Sequence, residues 1–175
     1  MNLIIRQLRS LLLGLWLGAA IFFGAAVAPA LFNVLRGAGL ANANELAGSI
    51  VTRLLGIINR GGFEIALFLF VTAFFVNRNQ SRLARLGEVI SLAIMAIMTG
   101  VGHWVIAARM SALRAAMQLP IDHIAPDDPR RIAFDNLHRY SVLLLSVAMC
   151  AAIATIIFTR VHIGPSAGKS NDARN

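Results

Sequence analysis

Four long runs of apolar residues constrain the fold of this chain more than any other feature of its sequence. The runs cover residues 11–32, 54–76, 86–108 and 140–159, and a helix needs about 20 apolar residues to cross a bilayer. The composition agrees, because 58% of the residues are hydrophobic and only 14% are charged, whereas about 25% are charged in ordinary soluble domains. We therefore predict an all-α polytopic membrane protein, a bundle of four transmembrane helices.

The connections between the runs suggest where the helices begin and end. Residues 42–53 have an amphipathic pattern, so this first loop lies at the interface or continues into the second span, with Asn42 or Asn44 as its cap. Helical spacing of apolar residues continues beyond residue 108, which predicts a third helix that extends out of the bilayer. Three prolines then interrupt the chain. Asp128 followed by Pro129 is a typical helix start, so the fourth helix is also predicted to begin outside the bilayer.

The start of the first run resembles a signal peptide, but it is longer than the apolar core of such a peptide, of about 7–15 residues. We therefore expect a retained helix, one transmembrane domain over residues 1–160, and a disordered cytoplasmic tail over residues 161–175. Cytoplasmic loops carry an excess of Arg and Lys. Each side of the bundle has eight basic residues, but those on the side of the termini lie in shorter segments. We predict a protein of the bacterial inner membrane with both termini cytoplasmic.

The net charge of +8 comes from basic residues that mostly flank the apolar runs. This arrangement favours anionic lipid headgroups as partners over nucleic acid. In the first helix, a ridge of small residues is formed by Gly14, Gly18, Ala20, Gly24 and Ala28, and such ridges let helices approach closely in lipid. The ridge is predicted to pack inside the monomer, with a homodimer or another membrane protein as the alternative partner. Pro29 is predicted to kink this helix.

Ionisable residues inside a membrane are costly and are candidates for function. Arg60 and Glu64 stand four residues apart on one helical face, beside Gly61 and Gly62. The pair is interpreted either as a simple ion pair, with Arg60 extending to the headgroups, or as part of a substrate or proton path. The second interpretation would make the protein a small transporter or channel.

Three of the four histidines are predicted to meet on one side of the membrane, near several aspartates. Imidazole and carboxylate ligands suit zinc, copper, iron or nickel, and two helical histidines also suit haem. No short His-x-x-x-His spacing occurs, so the alternatives are a histidine at a helix entry and one in an aromatic belt. The cofactor is therefore left open: we expect none, and a metal ion or haem is the alternative. The candidate metal ligands are His103, His123 and His138.

Two polar residues near the start of the fourth span complete the candidate set. Asp135 is placed for an i,i+4 pair with Arg139. Ser141 begins a slightly polar stripe with Ser146, Cys150 and Thr155, which is predicted to bond between helices. No Gly-flanked nucleophile turn accompanies Ser141 and His138, so the chain lacks the pattern of a hydrolase. These observations favour a protein that is not an enzyme.

Several short motifs, taken in order, resemble a known family. They are Leu15-Trp16-Leu17-Gly18 with Phe22-Phe23, then Val27-Ala28-Pro29-Ala30-Leu31-Phe32, then a Gly/Ala-rich loop leading to Arg53, and finally 134–142, FDNLHRYSV. Across most of residues 8–160 the chain resembles the bacterial four-helix membrane family similar to transmembrane protein 205, domain of unknown function 4149. Members tend to carry an Asn shortly after the Ser, where this chain has Leu143, Leu144 and Leu145. The resemblance implies an integral membrane protein and no particular activity.

Three classes of function remain. The first is a non-enzymatic accessory, scaffold or small-solute-handling membrane component. The second is a transporter or channel that uses Arg60 and Glu64. The third is a metal- or haem-binding redox protein that uses His103 and His138.

Overall fold

A computed structural model describes residues 2–76 and 81–160, and all four predicted helices are present in it. Helix α1 covers residues 2–37 as Asn2–Phe22, a π-helical turn Phe23–Val27, and Ala28–Gly37. Helix α2 is Ala43–Val76, α3 is Arg82–Met117 with a π-helical segment at Val101–Ile106, and α4 is Pro129–Arg160. A short 3-10 turn, Ile121–His123, lies between α3 and α4. Within the described residues there is no strand, and the four helices are long and apolar enough to cross a membrane.

The predicted extensions of the helices are confirmed. The first loop does not form a separate helix, because residues 43–53 continue directly into the second apolar run as one helix of 34 residues. Helix α3 runs nine residues past the predicted span before Gln118 takes a left-handed conformation, with φ of 56°. Helix α4 begins at Pro129, and the Asp128 carboxylate accepts a 2.8 Å hydrogen bond from the Arg130 N–H. The predicted tail, residues 161–175, lies outside the described residues.

The bundle is antiparallel, and its two ends differ in composition. At the terminal end, where α1 begins and α4 ends, α3 and α4 approach closely, because a Cβ added at Gly87 would stand 2.7 Å from the Phe158 ring. At the opposite end, α3 and α4 project past the predicted spans. We call it the cleft end, because a cleft opens there between the helices. There α3 and α4 enclose a second apolar cluster with the connecting segment: Ile106, Met110, Met117, Ile124 and Phe134.

Helix α3 contacts each of the other three helices and lines the centre of the main core. Leu92 and Met95 on α3 have no exposed surface, and Met98 packs against the same cluster. Trp16 on α1 closes this core from one side and donates a 2.9 Å hydrogen bond to the Ile58 carbonyl of α2. This bond satisfies the only polar atom of a large ring in an apolar setting.

Pro29 does not end α1 or separate it into two helices. A proline ring crowds the carbonyl four residues earlier and removes one hydrogen bond. That carbonyl belongs to Ala25, which lies inside the π-helical turn Phe23–Val27. The predicted disturbance at Pro29 therefore takes the form of a widened helical turn, within a helix that continues to Gly37.

The glycine ridge of α1 faces away from the rest of the bundle. A Cβ added at Gly14, Gly18 or Gly24 would meet nothing within 4 Å. The expectation that the ridge packs inside the monomer is therefore not met at its glycines, whereas Ala20 of the same ridge has no exposed surface. Close packing occurs instead at glycines of α2 and α3, where Gly62 lies against Trp16 and Gly102 lies against Asn59. Periodicity identified the ridge but not its direction, because residues that face lipid and residues that face the core are both apolar.

Candidate functional site

At the cleft end, the connection between α3 and α4 is fastened to the first turn of α2. The Asp122 carboxylate accepts a 3.0 Å bond from the Glu45 N–H and a 2.5 Å bond from the Asn44 side chain. The Glu45 carboxylate in turn accepts a 3.3 Å bond from the Ile121 N–H. Asp122 therefore satisfies a free N–H at the start of α2, as a capping residue does, although it is remote in sequence.

The electrostatic setting of Asp122 follows from these bonds. Desolvation acts to raise its pKa, but the hydrogen bonds from Glu45 and Asn44 outweigh that effect. The pKa of the Asp122 carboxyl therefore lies below its ordinary value of 3.8. Hydrogen bonds to the charged form of a carboxylate favour ionisation. Asp122 is therefore an anion that is bonded to the first turn of α2.

Arg114 of α3 is held between two neighbours. Its Nε lies 3.1 Å from Glu45 Oε1, as an ion pair rather than an aligned hydrogen bond. Its guanidinium also lies 5.2 Å from the centre of the Phe134 ring, within the range of a cation–π contact. Gly48 allows this approach, since a Cβ there would stand 3.1 Å from Arg114 Nη2.

A cleft of about 230 Å³ opens between these elements, and three arginines line it: Arg36, Arg114 and Arg131. Arg36 donates from Nε to Asn44 Oδ1 at 2.7 Å and stacks near the Phe32 ring. Arg131 donates to the Ile124 carbonyl. Both bonds are to neutral oxygens, and within residues 2–76 and 81–160 neither side chain forms an ion pair. Two guanidinium groups of the cleft therefore retain donors for an anion.

Two residues that the sequence singled out also line this cleft. They are Asp135 and His138, both exposed on α4. The predicted pair of Asp135 with Arg139 is not among the ion pairs of the described residues. Sequence reasoning found these two positions but not the three arginines, which it had treated as flanking charges. A signal existed, since Arg36, Arg114 and Arg131 all lie within nine residues of an apolar run, on one predicted side of the membrane.

The predicted metal site is not assembled. No group of three or more His, Cys, Asp and Glu side chains suited to a metal ion occurs within the described part of the chain. His103 packs edge-on against Trp104 at 5.0 Å, and its Nδ1 is buried without a hydrogen-bond partner in that part. His123 is exposed in the 3-10 turn, and His138 lines the cleft. The three side chains serve separate environments, and a two-histidine haem site stays a prediction.

Arg60 and Glu64 form the predicted ion pair, with 2.9 Å between Arg60 Nε and Glu64 Oε1. Their side chains are 69% and 60% exposed, so they point away from the interior of the bundle. Neither lines the cleft. A path through the bundle that uses this pair, as the transporter interpretation requires, is therefore not what the arrangement provides.

A second arginine–glutamate pair was missed by sequence reasoning. Arg9 Nη2 of α1 lies 2.5 Å from Glu88 Oε1 of α3, and the two side chains are 7% and 0% exposed. Arg9 also donates to the Leu69 carbonyl at 2.7 Å and to the Thr72 hydroxyl, both on α2. One guanidinium thus joins three helices at the terminal end. The available signal was Glu88 itself, an acidic residue at the start of an otherwise apolar run.

Among the described residues, Ser146 and Thr155 of α4 do not bond between helices as predicted. Ser146 and Thr155 donate to the carbonyls of Val142 and Ala151, four residues earlier in the same helix. Ser141 is buried, whereas His138 three residues before it is exposed. Ser146 and Thr155 thus satisfy their donors within α4 itself.

Comparison with known proteins identifies the family. Residues 11–118, more than half of the chain, match the model of a family described as Domain of unknown function (DUF4149). No curated protein and no solved structure matched. The match ends before the 134–142 segment that contributed to the resemblance, and the likeness to transmembrane protein 205 stays a prediction. The chain belongs to the DUF4149 family.

Proposed function

We propose that this protein is a non-enzymatic, multi-pass membrane protein that binds a small anionic group in the cleft at its cleft end. The proposed location is the bacterial inner membrane with both termini cytoplasmic. Four apolar helices of sufficient length support the membrane part of the proposal. This orientation places the cleft on the periplasmic side.

The observation that carries the binding role is the state of two arginines. Arg36 and Arg131 line the cleft, and within the described residues their bonds are to neutral oxygens only. An arginine presents five N–H donors, which suit carboxylate and phosphate groups. A bound anion would occupy the donors that the bonds to Asn44 and Ile124 leave over.

The acidic residues near the cleft do not remove its preference for an anion. Glu45 is engaged by Arg114 and Asp122 by the start of α2. Asp135 remains as a negative charge at the exposed rim of the cleft. Ligand sites for drug-sized molecules have volumes of about 300–1,000 Å³, so a cleft of about 230 Å³ suits a smaller group. A free anion and the phosphate of a lipid headgroup share this chemistry, and the cleft lies where headgroups are expected.

The proposal is tested by the effect of anions on thermal stability. Protein purified in a neutral detergent is titrated with inorganic phosphate and citrate, and the Tm is followed. A ligand that binds only the folded state raises the Tm. We expect a rise for the natural chain that is lost in Arg36→Gln and in Arg131→Gln. The matched control is Arg139→Gln, an exposed arginine of α4 that does not line the cleft.

Reconstitution separates the two sources of the anion. Nanodiscs that contain phosphatidylglycerol are compared with phosphatidylcholine nanodiscs, and a lipid ligand raises the Tm only in the former. An equal response of the Arg139→Gln and Arg131→Gln variants would indicate a general charge effect and would exclude the cleft. A natural chain that responds to neither free anions nor anionic lipid would leave the accessory or scaffold role in its place.

A further inference from the structure

The outward face of α2 carries a charged pair where a lipid-facing helix ordinarily has none. Ile57, Arg60, Glu64, Leu67 and Val71 are all exposed, and we call them the α2 outer face. Their spacing alternates three and four residues. This is the spacing of the seam along which two helices pack at a shallow angle.

The depth of the pair follows from the residue between its members. Gly62 lies against Thr99, because a Cβ there would stand 2.9 Å from Thr99 Cγ2. Thr99 is near the middle of the apolar run 86–108. Arg60 and Glu64 flank Gly62 by two positions, which is about 3 Å along the axis. Thr99 itself lies two residues from the middle of that run, toward the cleft end. Glu64 therefore stands near the middle of the proposed span, and Arg60 stands about 6 Å from the middle toward the cleft end.

At this depth the headgroups are out of reach. The hydrocarbon core is about 30 Å thick, so its boundary is roughly 15 Å from Glu64 and roughly 9 Å from Arg60, whereas an arginine side chain extends about 7 Å and a glutamate side chain less. Charged groups at the bilayer centre ordinarily face the interior of a bundle or a polar partner. Here both side chains are more than half exposed, so the described residues of the chain do not cover them.

We propose that a second copy of this chain covers the α2 outer face, and that the two copies exchange ion pairs between Arg60 and Glu64. The face offers one positive and one negative charge a helical turn apart, so it is complementary to itself. A two-fold axis along the membrane normal would place four charges around it in alternating sign. Each guanidinium would then contact its own glutamate and that of the other copy.

The geometry of helix pairs permits this exchange. Packed helices stand about 8–10 Å apart, and residues four positions apart are offset by about 6 Å. An arginine and a glutamate side chain together bridge that separation. Gly61 leaves room for the approach, since a Cβ there would meet nothing within 4 Å. A two-fold interface of this kind uses the same patch on both subunits.

The inference rests on the proposed membrane location but not on the cleft. The two failures are distinguishable, because a chain that is released from membranes by alkaline carbonate would contradict the location itself. The interface is then tested only in chains that remain in the membrane fraction. Variants of the cleft, such as Arg36→Gln, are expected to dimerise normally.

The first test is disulfide crosslinking in native membranes. Cys150 is exposed and is first replaced by Ala. Ile57→Cys is then compared with Leu15→Cys, because the two positions are 69% and 70% exposed and Leu15 lies next to the glycine ridge of α1. We expect a dimer band for Ile57→Cys well above that for Leu15→Cys. Equal bands, or a band for Leu15→Cys alone, would overturn the proposal.

The second test separates contact between copies from the pair within one helix. Arg60→Glu and Glu64→Arg are made in the Ile57→Cys background and carry tags of different size. Each alone is expected to lower the crosslinked fraction about tenfold, because four like charges meet. Expressed together, they are expected to crosslink with each other and not with themselves. The ion pair within the helix is broken in both chains, so it does not account for such a rescue.

The outcomes of the mixed expression are decisive in both directions. Recovery of a mixed dimer supports an interface in which the α2 outer faces meet. Single variants that remain in the membrane and crosslink as well as the natural chain would exclude it. A mixed expression that yields no mixed dimer, although both chains are membrane-embedded, would assign the face to a different protein or to lipid.

Discussion

Two arginine–glutamate pairs of the same chemical composition occupy opposite positions in this bundle. Arg9 and Glu88 are remote in sequence, buried, and surrounded by three helices. Arg60 and Glu64 are one turn apart on α2, exposed, and bonded to each other alone among the hydrogen bonds of the described residues. The first pair is part of the monomer's interior, whereas the second occupies a surface.

The difference shows how position determines what an ion pair does. A buried charge needs all of its donors and acceptors satisfied, so Arg9 uses the Leu69 carbonyl and the Thr72 hydroxyl in addition to Glu88. These bonds fix the relative heights of α1, α2 and α3. Among the described residues, the exposed pair makes no bond outside its own helix. Its charges remain available to a partner, which is why only this pair suggests an interface.

The largest expected effect follows from breaking the buried pair. Arg9→Leu leaves the Glu88 carboxylate buried without its arginine, and the free energy of unfolding is expected to fall by about 3–5 kcal/mol. Denaturant titration in detergent micelles measures the loss. The matched control is Arg6→Leu, which removes the same charge from an exposed position one turn earlier and is expected to change stability by less than about 0.5 kcal/mol.

A double replacement sharpens this result. In Arg9→Leu/Glu88→Leu neither charge of the pair remains, so the double variant is expected to be more stable than Arg9→Leu alone. If the two losses simply added, Arg9 and Glu88 would act independently. The contrast between a buried pair and a surface pair would then have no energetic basis.

A smaller loss of unfolding free energy is expected at Gly62, which lies on the inner side of α2. Gly62→Ala places a Cβ 2.8 Å from Trp16 Cε2, and overpacking of this kind costs about 1–3 kcal/mol of unfolding free energy. Gly61→Ala is the matched control, because its Cβ points into open space and alanine favours the helix. Equal losses in both variants would contradict the assignment of Gly62 to the inner side and Gly61 to the outer side.

The sequence predicted the elements of this fold better than their contacts. Run lengths and the Asp128-Pro129 start located all four helices, because the length of a bilayer span and the chemistry of a helix start are local properties. The spacing of Arg60 and Glu64 likewise predicted their ion pair. It did not predict the exposed side, since hydrophobic periodicity has little contrast when both sides of a helix are apolar.

The contacts that join distant segments were out of reach for the same reason. The pair of Arg9 and Glu88 depends on the register of three helices, which no local pattern encodes. Asp122 and the start of α2 are also brought together only by the packing of the connecting segment. For the histidines, the sequence predicted a metal site that the described residues do not assemble. Lying on the same side of the membrane is a much weaker condition than standing at the distances of a ligand set.

A loss of unfolding free energy of intermediate size is expected at Asp122, and this loss depends on pH. Asp122→Ala removes the acceptor at the start of α2, and loss of a cap lowers the unfolding free energy by about 1 kcal/mol. The pKa of Asp122 is lowered in the folded chain, so its contribution is complete above the ordinary pKa of 3.8 and is lost as the pH falls through the folded value. The difference between the natural chain and Asp122→Ala should therefore shrink from neutral pH to about pH 3.

Asp127→Ala is the control for this measurement, since Asp127 is an exposed neighbour in the same connection. It is expected to leave the unfolding free energy unchanged within about 0.5 kcal/mol at both pH values. A difference between Asp122→Ala and the natural chain that grew at low pH would reverse the sign and would remove Asp122 from the role of a cap.

The smallest effect on the monomer is expected at the exposed pair. Arg60→Gln/Glu64→Gln replaces both charges with neutral amides of similar shape, and i,i+4 pairs contribute only about 0.3–0.5 kcal/mol. In dilute micelles, where monomers predominate, denaturant titration should show no larger loss, although crosslinking through Ile57→Cys in membranes should decrease. A loss of several kcal/mol would mean that this pair holds α2 in the bundle much as Arg9 and Glu88 hold α1 and α3. The proposal that one pair stabilises the fold and the other mediates association would then be wrong for Arg60 and Glu64.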